Sequence, residues 1–148
     1  MGCECPLLAI GWLPYFIAMN PTTDVAALDR VGQIAINVHD VTRATAFYRD
    51  VLGMKFLFAA PPGLAFFDCG GVRLMLTTPD RPEQDHLSSV IYYVVSDIHE
   101  THRAMLARGV VFDDEPHIVA RMPGIDLWMT FLKDPEGNLL ALMCETKV

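Results

Sequence analysis

The sequence carries the same order of structural signals twice, about 57 residues apart, and this repetition limits the possible folds more than any other feature. Asp40 in the first copy corresponds to Asp97 in the second, and Gly53 to Gly109 once a single residue is dropped. Residue identity between the copies is low. A fixed internal period indicates a chain built from repeated supersecondary units. The sequence therefore predicts two related modules.

Each copy begins with the pattern of a strand followed by a helix. Apolar and polar residues alternate over residues 33–38, which predicts a strand with one apolar face. Asp40 stands where a helix N-cap belongs, and Gly53 follows the apolar stripe as a left-handed C-cap. In the second copy Asp97 takes the N-cap position, and Glu100 three residues later completes a capping box.

Three apolar segments follow each predicted helix, separated by the turn sequences PPG, GG, RMPG and DPEG. They cover residues 54–59, 64–69 and 72–77 in the first copy. In the second they cover 110–112, with an unassigned stretch to 119, then 126–132 and 138–144. Each copy is thus a βαβββ module. One face of each small sheet takes its helix and the other needs a partner. The predicted fold class is α+β, with two fused βαβββ modules forming a curved mixed sheet around a cleft.

The predicted domain organisation is an N-terminal extension of unknown role over residues 1–30 and a single domain over residues 31–148. Within that domain, module one covers 31–78, a proline-rich polar linker covers 79–87, and module two covers 88–145. The extension is apolar, but it lacks a basic region and is interrupted by Pro14. We therefore expect neither a signal peptide nor a membrane anchor.

Charge and cysteine usage narrow the classes of partner. A net charge of -7 and a pI near 5.0 argue against a nucleic-acid-binding protein, which usually has a basic face, and favour tolerance of a cationic small molecule. The four cysteines lack the spacing of a zinc site. Reduced thiols and a cytoplasmic location are expected, with no nucleic-acid or membrane partner.

The segments IAINVHDVTRATAFYRDVLGMKF and FLKDPEGNLLAL resemble the vicinal oxygen chelate superfamily. That family includes glyoxalase I, bleomycin-resistance proteins, fosfomycin-resistance enzymes and extradiol dioxygenases. The resemblance covers roughly residues 31–145 and implies the glyoxalase/bleomycin-resistance fold and a homodimer. It predicts the fold better than the activity, because this fold supports many chemistries.

Members of that family that bind a metal hold it on the concave face of the sheet. Carried over by position, their ligand places correspond to Gln33, Met75, Val90 and Ala141 in this chain. Gln33 offers an amide oxygen, as in some glyoxalases, whereas the other three offer neither a hard oxygen nor an imidazole. A divalent cation needs three or more nitrogen or oxygen ligands. We therefore predict no cofactor and disfavour a divalent metal.

Strand alternation and hairpin registers predict the side chains that line the cleft. A four-residue turn in the last hairpin would pair Lys133 with Asn138 and set Thr130 opposite Ala141. The predicted lining consists of Gln33, Asn37, Phe66, Arg73, Met75, Tyr92, Trp128, Thr130 and Met143. Apolar walls with a few polar groups are typical of a small-molecule pocket, and the alternative is that the large side chains fill the cleft.

Three charged or titratable residues are candidates for a more specific role. His117 and Asp126 flank the same turn, where a histidine oriented by a carboxylate would act as a general base. Arg73 would either bind a carboxylate or phosphate of a ligand or, as we favour, form a cross-strand ion pair with Asp68.

Two functional hypotheses follow, with a third that involves no ligand. The first is a metal-independent binding protein of the bleomycin-resistance type, for a small aromatic or cationic molecule. The second is an enzyme, either a glyoxalase-like lyase or isomerase or a relative of the dioxygenases, with atypical ligands or with metal-free catalysis at His117. The third is a structural or regulatory member whose cleft is packed shut.

Overall fold

The structure is a computed structural model that describes Leu28 and residues 30–148. The predictions for residues 1–27 and 29 lie outside the described residues. The strands are β1 (Gln33–Asn37), β2 (Lys55–Ala60), β3 (Leu64–Cys69), β4 (Val72–Thr77), β5 (Ile91–Val94), β6 (His117–Met122), β7 (Ile125–Lys133) and β8 (Leu139–Lys147). The helices are α1 (Val41–Ala46), continued by a π-helical turn (Phe47–Val51), and α2 (Ile98–Ala107). In this part of the chain no helix is long and apolar enough to cross a bilayer.

The strands form two four-stranded mixed sheets of identical topology. The order is β1-β4-β3-β2 in the first sheet and β5-β8-β7-β6 in the second. In each sheet the first strand of the module pairs in parallel with the last, and the other pairs are antiparallel. The α+β class and the two βαβββ modules are confirmed. The segment predicted at 110–112 forms only a single bridge, from Phe112 to Leu132, and the strand itself begins at His117, within the stretch left unassigned.

The predicted helix caps are confirmed. The Asp40 carboxylate accepts a hydrogen bond from the backbone N–H of Arg43 at 2.9 Å. Asp97 does the same for the N–H of Glu100, also at 2.9 Å. Each helical segment is followed by a glycine with a positive φ, a conformation that costs glycine little. The two helices are therefore delimited by local sequence.

Both modules contribute to one hydrophobic core. The helix-facing sides of the two sheets and the buried sides of the two helices form it together; its largest fully buried members are Ile36, Val38, Tyr48, Phe67, Leu74, Leu76, Ile98, Leu132 and Cys144. We call the opposite side of each sheet its open face.

A closed set of three hydrogen bonds joins the modules through the linker. The N–H of Asn37 donates to Ser88 Oγ at 3.0 Å, and the N–H of Ser88 donates to Asn138 Oδ1 at 2.9 Å. Asn138 Nδ2 donates to the carbonyl of Asn37 at 2.9 Å, which closes the set. We call these three hydrogen bonds, among Asn37, Ser88 and Asn138, the asparagine ring. The end of β1, Ser88 directly after the linker, and the β7–β8 turn are thereby held together.

A second contact between the modules is centred on Glu136, whose side chain is only 5% exposed. Its carboxylate accepts hydrogen bonds from Arg43 Nη2 at 2.7 Å and from the N–H of His39 at 2.9 Å. The Arg43 hydrogen bond is the main reason that the pKa of Glu136 falls to about 2. The β7–β8 turn thus binds the start of α1.

The predicted register of the β7–β8 hairpin is wrong by one residue. Lys133 pairs with Leu139 and not with Asn138. Asp134 explains the difference, because its Oδ1 accepts hydrogen bonds from the N–H groups of Glu136 and Asn138, both at 2.9 Å. These bonds stabilise a turn of five residues, 134–138. A one-residue shift moves side chains to the other face of a strand.

Trp128 and Thr130 consequently lie on the helix-facing side of the second sheet, and their predicted place in the cleft is wrong. Asp126 lies on the same side as these two residues. Thr130 is fully buried, and its hydroxyl donates to the carbonyl of Asp114 at 2.7 Å. The Trp128 ring lies 4.9 Å from the ring of His99 on α2. These side chains support the packing of the second module.

Candidate functional site

The open face of the first sheet brings together side chains from strands far apart in sequence. The parallel pairing of β1 with β4 sets Gln33 beside Arg73 and Ala35 beside Met75. Arg73 Nε donates a hydrogen bond to Gln33 Oε1 at 2.7 Å. Gln33 Nε2 in turn lies 3.5 Å from Met75 Sδ, a weak acceptor. Both ends of the Gln33 amide therefore have partners.

Two aromatic rings continue this surface across β3 and β2. The Arg73 guanidinium carbon lies 5.7 Å from the centroid of the Phe66 ring, within the range of a cation–π interaction. Phe66 stacks on Phe58 with centroids 4.6 Å apart and 29° between the ring planes. Phe66 is 9% exposed and Phe58 is 47% exposed. We call Gln33, Phe58, Phe66, Arg73 and Met75 the Arg73 site.

The predicted ion pair between Asp68 and Arg73 does not form. The two residues lie opposite each other in the β3–β4 register, as expected. However, Asp68 Oδ2 lies 3.5 Å from Lys55 Nζ and its Oδ1 accepts a hydrogen bond from the N–H of Gly71. Arg73 forms no ion pair with a described carboxylate, and within the described residues its terminal Nη atoms have no acceptor. Among the described residues, its charge is therefore not balanced by a carboxylate.

The side chains at the family's metal-ligand positions do not fit a divalent cation. The only oxygen donor among them, Gln33 Oε1, is held by the Arg73 guanidinium, whose charge repels a cation. Met75 offers a thioether, and Val90 and Ala141 offer hydrocarbon. Among the described residues, no three His, Cys, Asp or Glu side chains lie close enough to hold a metal ion.

The open face of the second sheet is apolar where it corresponds to the Arg73 site. Tyr92 on β5 pairs with Ala141 on β8, which pairs with Phe131 on β7. The rings of Tyr92 and Phe131 meet edge to face with centroids 6.4 Å apart, and Tyr92 is 48% exposed. Met143 lies two residues along β8 on the same face. Whether Tyr92 and Met143 contact a ligand stays a prediction.

His117 and Asp126 are not brought together. They lie on opposite faces of the second sheet, because an odd number of strand positions separates them across the β6–β7 pairing. His117 Nδ1 lies 3.4 Å from Asp114 Oδ2 and 2.9 Å from the carbonyl of Glu115. Asp126 Oδ1 lies 3.7 Å from Arg121 Nε. Asp126 therefore does not orient His117.

Asn37 lies on the first open face but its side chain holds the linker. Its Nδ2 donates to the carbonyl of Gln84 at 2.6 Å and to that of His86 at 3.1 Å.

Phe58, in contrast, belongs to the site but was not predicted. A bulge between Phe56 and Phe58 turns Phe56 toward the core and Phe58 toward the open face. Strict alternation would have placed both rings on one side.

Comparisons with known proteins agree with this architecture. The family model described as the glyoxalase/bleomycin resistance protein/dioxygenase superfamily matches residues 30–142. A lactoylglutathione lyase from Agrobacterium tumefaciens is similar at 21% identity and a TM-score of 0.64, with 80% of this chain and 95% of that chain covered. A superfamily member from Sphaerobacter thermophilus is similar at 24% identity and a TM-score of 0.66, with 79% and 98% covered.

A virulence protein from Salmonella typhimurium has the same fold, at 19% identity and a TM-score of 0.67, with 80% of this chain and 98% of that chain covered. Sequence identities this low indicate a common fold and leave the activity open. No curated protein matches the sequence significantly.

Proposed function

Because the chain belongs to the glyoxalase/bleomycin resistance protein/dioxygenase superfamily, we propose that it binds a small organic molecule at the Arg73 site without a divalent metal. The hydrogen bond from Arg73 Nε to Gln33 Oε1, at 2.7 Å, carries this proposal. It occupies the one oxygen donor at the family's ligand positions and places a positive charge where a cation would bind. Recognition is then left to the guanidinium, the amide and the aromatic rings.

The surface chemistry supports a binding function. Small-molecule sites combine apolar and aromatic walls with a few polar groups that fix orientation. The Arg73 site has the Phe58 and Phe66 rings as its apolar part and the Arg73–Gln33 pair as its polar part. The homodimer stays a prediction, and exposed apolar side chains such as Tyr92 and Val94 on the other open face are consistent with it.

Elemental analysis of the purified protein tests the absence of a metal. The protein is purified without chelator, and nickel, zinc, iron and manganese are measured per chain in the wild type, in Gln33→Ala and in Gln84→Ala. Gln84 is an exposed glutamine of the linker and serves as the matched control. We expect substoichiometric metal in all three. Stoichiometric metal that is lost in Gln33→Ala alone would contradict the proposal.

Ligand binding is tested by a thermal-shift screen of metabolites and antibiotics, with and without EDTA. A ligand that binds the folded state raises its stability in proportion to ln(1 + [L]/Kd). We expect stabilising compounds whose effect is the same with EDTA and is lost in Phe58→Ala. The observation that every hit depends on added metal would show that the site works in another way.

Catalysis by His117 stays the alternative. Its predicted carboxylate partner Asp126 lies on the other face, and Asp114 is the carboxylate nearest to its Nδ1. Turnover of a hit compound that is abolished in His117→Ala, with the compound still bound, would establish this alternative.

A further inference from the structure

The geometry of the Arg73 site points to the class of its ligand, an inference that rests on the proposed function. We propose that the site selects a planar aromatic molecule with a carboxylate. The carboxylate binds the terminal nitrogens of Arg73, and the attached ring lies on the Phe66 and Phe58 rings.

The guanidinium is already oriented before a ligand arrives. Its Nε–H donates to Gln33 Oε1 at 2.7 Å, and its Cζ lies 5.7 Å from the centroid of the Phe66 ring. Four of its five N–H groups remain, and in the described part of the chain they have no acceptor. The two Nη atoms form the edge that matches the two oxygens of a carboxylate. Because Gln33 holds the side chain, binding loses little rotamer entropy.

The opposite charge on the neighbouring strand, that of Asp68, does not pair with Arg73. Asp68, the carboxylate opposite it, contacts Lys55 and the N–H of Gly71. The chain as a whole has a net charge of -7, which repels anions at long range. An anion that binds here therefore depends on the local guanidinium, so substitution of this one residue should remove the preference for an anion.

The aromatic side chains supply the second half of the selectivity. From Arg73 on β4 the surface passes to Phe66 on β3 and Phe58 on β2. Neighbouring strands lie about 4.8 Å apart, so the cationic end and the apolar end are about 10 Å apart. That distance matches the length of a small aryl carboxylate. Phe66 is only 9% exposed and already stacks on Phe58, so the half-exposed Phe58 ring supplies most of the aromatic surface that such a molecule would contact.

Isothermal titration of the full chain with three probes of the same shape tests this assignment. The probes are 2-naphthoate, its neutral amide 2-naphthamide, and the cation 2-naphthylmethylammonium. A charge-assisted bidentate pair should make the carboxylate bind at least about tenfold tighter than the amide. The cation should bind most weakly. Equal affinities for carboxylate and amide, or no binding of any probe up to about 10 mM, would overturn the assignment.

Variants of the site test which side chain causes the preference for the carboxylate probe. Arg73→Gln should abolish the difference between naphthoate and naphthamide, and Phe58→Ala should weaken both probes by similar factors. Arg103→Gln is the matched control, because Arg103 is an exposed arginine on α2. A carboxylate preference that survives in Arg73→Gln refutes the assignment even if the Arg103 variant is unchanged. Thermal melts of each variant verify that it is folded.

The outcomes also separate this inference from the function on which it rests. If 2-naphthamide binds as tightly as 2-naphthoate and no metal is present, the ligand class is wrong and metal-independent binding stands. If stoichiometric metal is found while the Arg73-dependent preference persists, the metal-independent function is wrong and the anion site stands.

Discussion

The open face of the first sheet presents a guanidinium–amide pair beside two stacked phenylalanines, whereas the open face of the second presents tyrosine, phenylalanine and methionine. The helix-facing sides of the same sheets are alike in that both contribute apolar side chains to one core. Close packing constrains every residue of a shared core. The open faces are free of that constraint, so they are where the two copies have diverged and where ligand recognition is expected.

The largest loss of stability should follow substitution of Asp134, a buried residue of the shared interior that is 5% exposed. Its carboxylate accepts hydrogen bonds from Tyr48 Oη at 3.0 Å and from Asn138 Nδ2 at 2.9 Å. Asp134→Ala removes the acceptor of the Tyr48 hydroxyl and of one of the two Asn138 Nδ2 hydrogen bonds, and it should lower the free energy of unfolding by about 3 kcal/mol in urea titrations. Asp113→Ala, which removes only a surface contact to Lys133, should cost under about 0.5 kcal/mol. Similar losses in both variants would contradict this assignment.

Acid should weaken the contact between the modules through Glu136. Its pKa is about 2 in the folded protein against an ordinary value of 4.5, mainly because of the Arg43 hydrogen bond. A lowered carboxyl pKa stabilises the folded state above the unfolded pKa, and this contribution is lost as pH falls from about 4.5 toward 2. Solvent screens the charge of the exposed Arg43 and reduces the effect. We therefore expect the free energy of unfolding to fall by about 2 kcal/mol in urea titrations at decreasing pH. Glu136→Gln should flatten the profile, and an unchanged slope would exclude this carboxylate as the cause.

Tyr93 and Tyr48 should respond with opposite signs to the loss of a hydroxyl. Tyr93 Oη is buried and has no hydrogen-bond partner within the described residues, and burial raises its pKa. Tyr93→Phe should therefore stabilise the protein by about 1 kcal/mol. Tyr48→Phe should destabilise it by about the same amount, because its hydroxyl donates to Asp134. Differential scanning calorimetry gives both signs, and destabilisation by Tyr93→Phe would mean that its hydroxyl has a partner.

The smallest change in stability should follow substitution of Arg73 itself. Arg73→Gln should alter the free energy of unfolding by less than about 0.5 kcal/mol, because the side chain is exposed on the open face. The next residue of β4, Leu74, points into the core at 1% exposure, and Leu74→Ala should cost about 3 kcal/mol. Urea titration compares the two. A large loss in Arg73→Gln would assign it to the scaffold instead of to recognition.

Local signals predicted those parts of the fold whose geometry is set locally. The bounds of β3 and β4 agree with the sequence prediction, because the Gly70-Gly71 turn fixes both the ends and the register of that hairpin. The caps at Asp40 and Asp97 follow from side chains that bond to the backbone three residues away. Patterns of this kind need no tertiary information.

The errors arise where a side chain or a bulge overrides the local pattern. Proline and glycine mark the DPEG turn, but the two hydrogen bonds to Asp134 Oδ1 set its length, and this shifted Trp128 and Thr130 to the other face. No sequence signal announces the bulge that exposes Phe58. The Arg73–Gln33 bond joins two strands that pair only through a crossover, so its presence depends on tertiary register.

The asparagine ring also bears on what happens when the polypeptide is cut. A break between Asp80 and Arg81, in the exposed linker, leaves Asn37 on one fragment and both Ser88 and Asn138 on the other. Each fragment then carries hydrogen-bonding groups of the asparagine ring whose partners lie on the other fragment. Each also carries about half of the apolar side chains of the shared core. Such pieces should reassemble when mixed, which would make this scaffold usable as a split reporter.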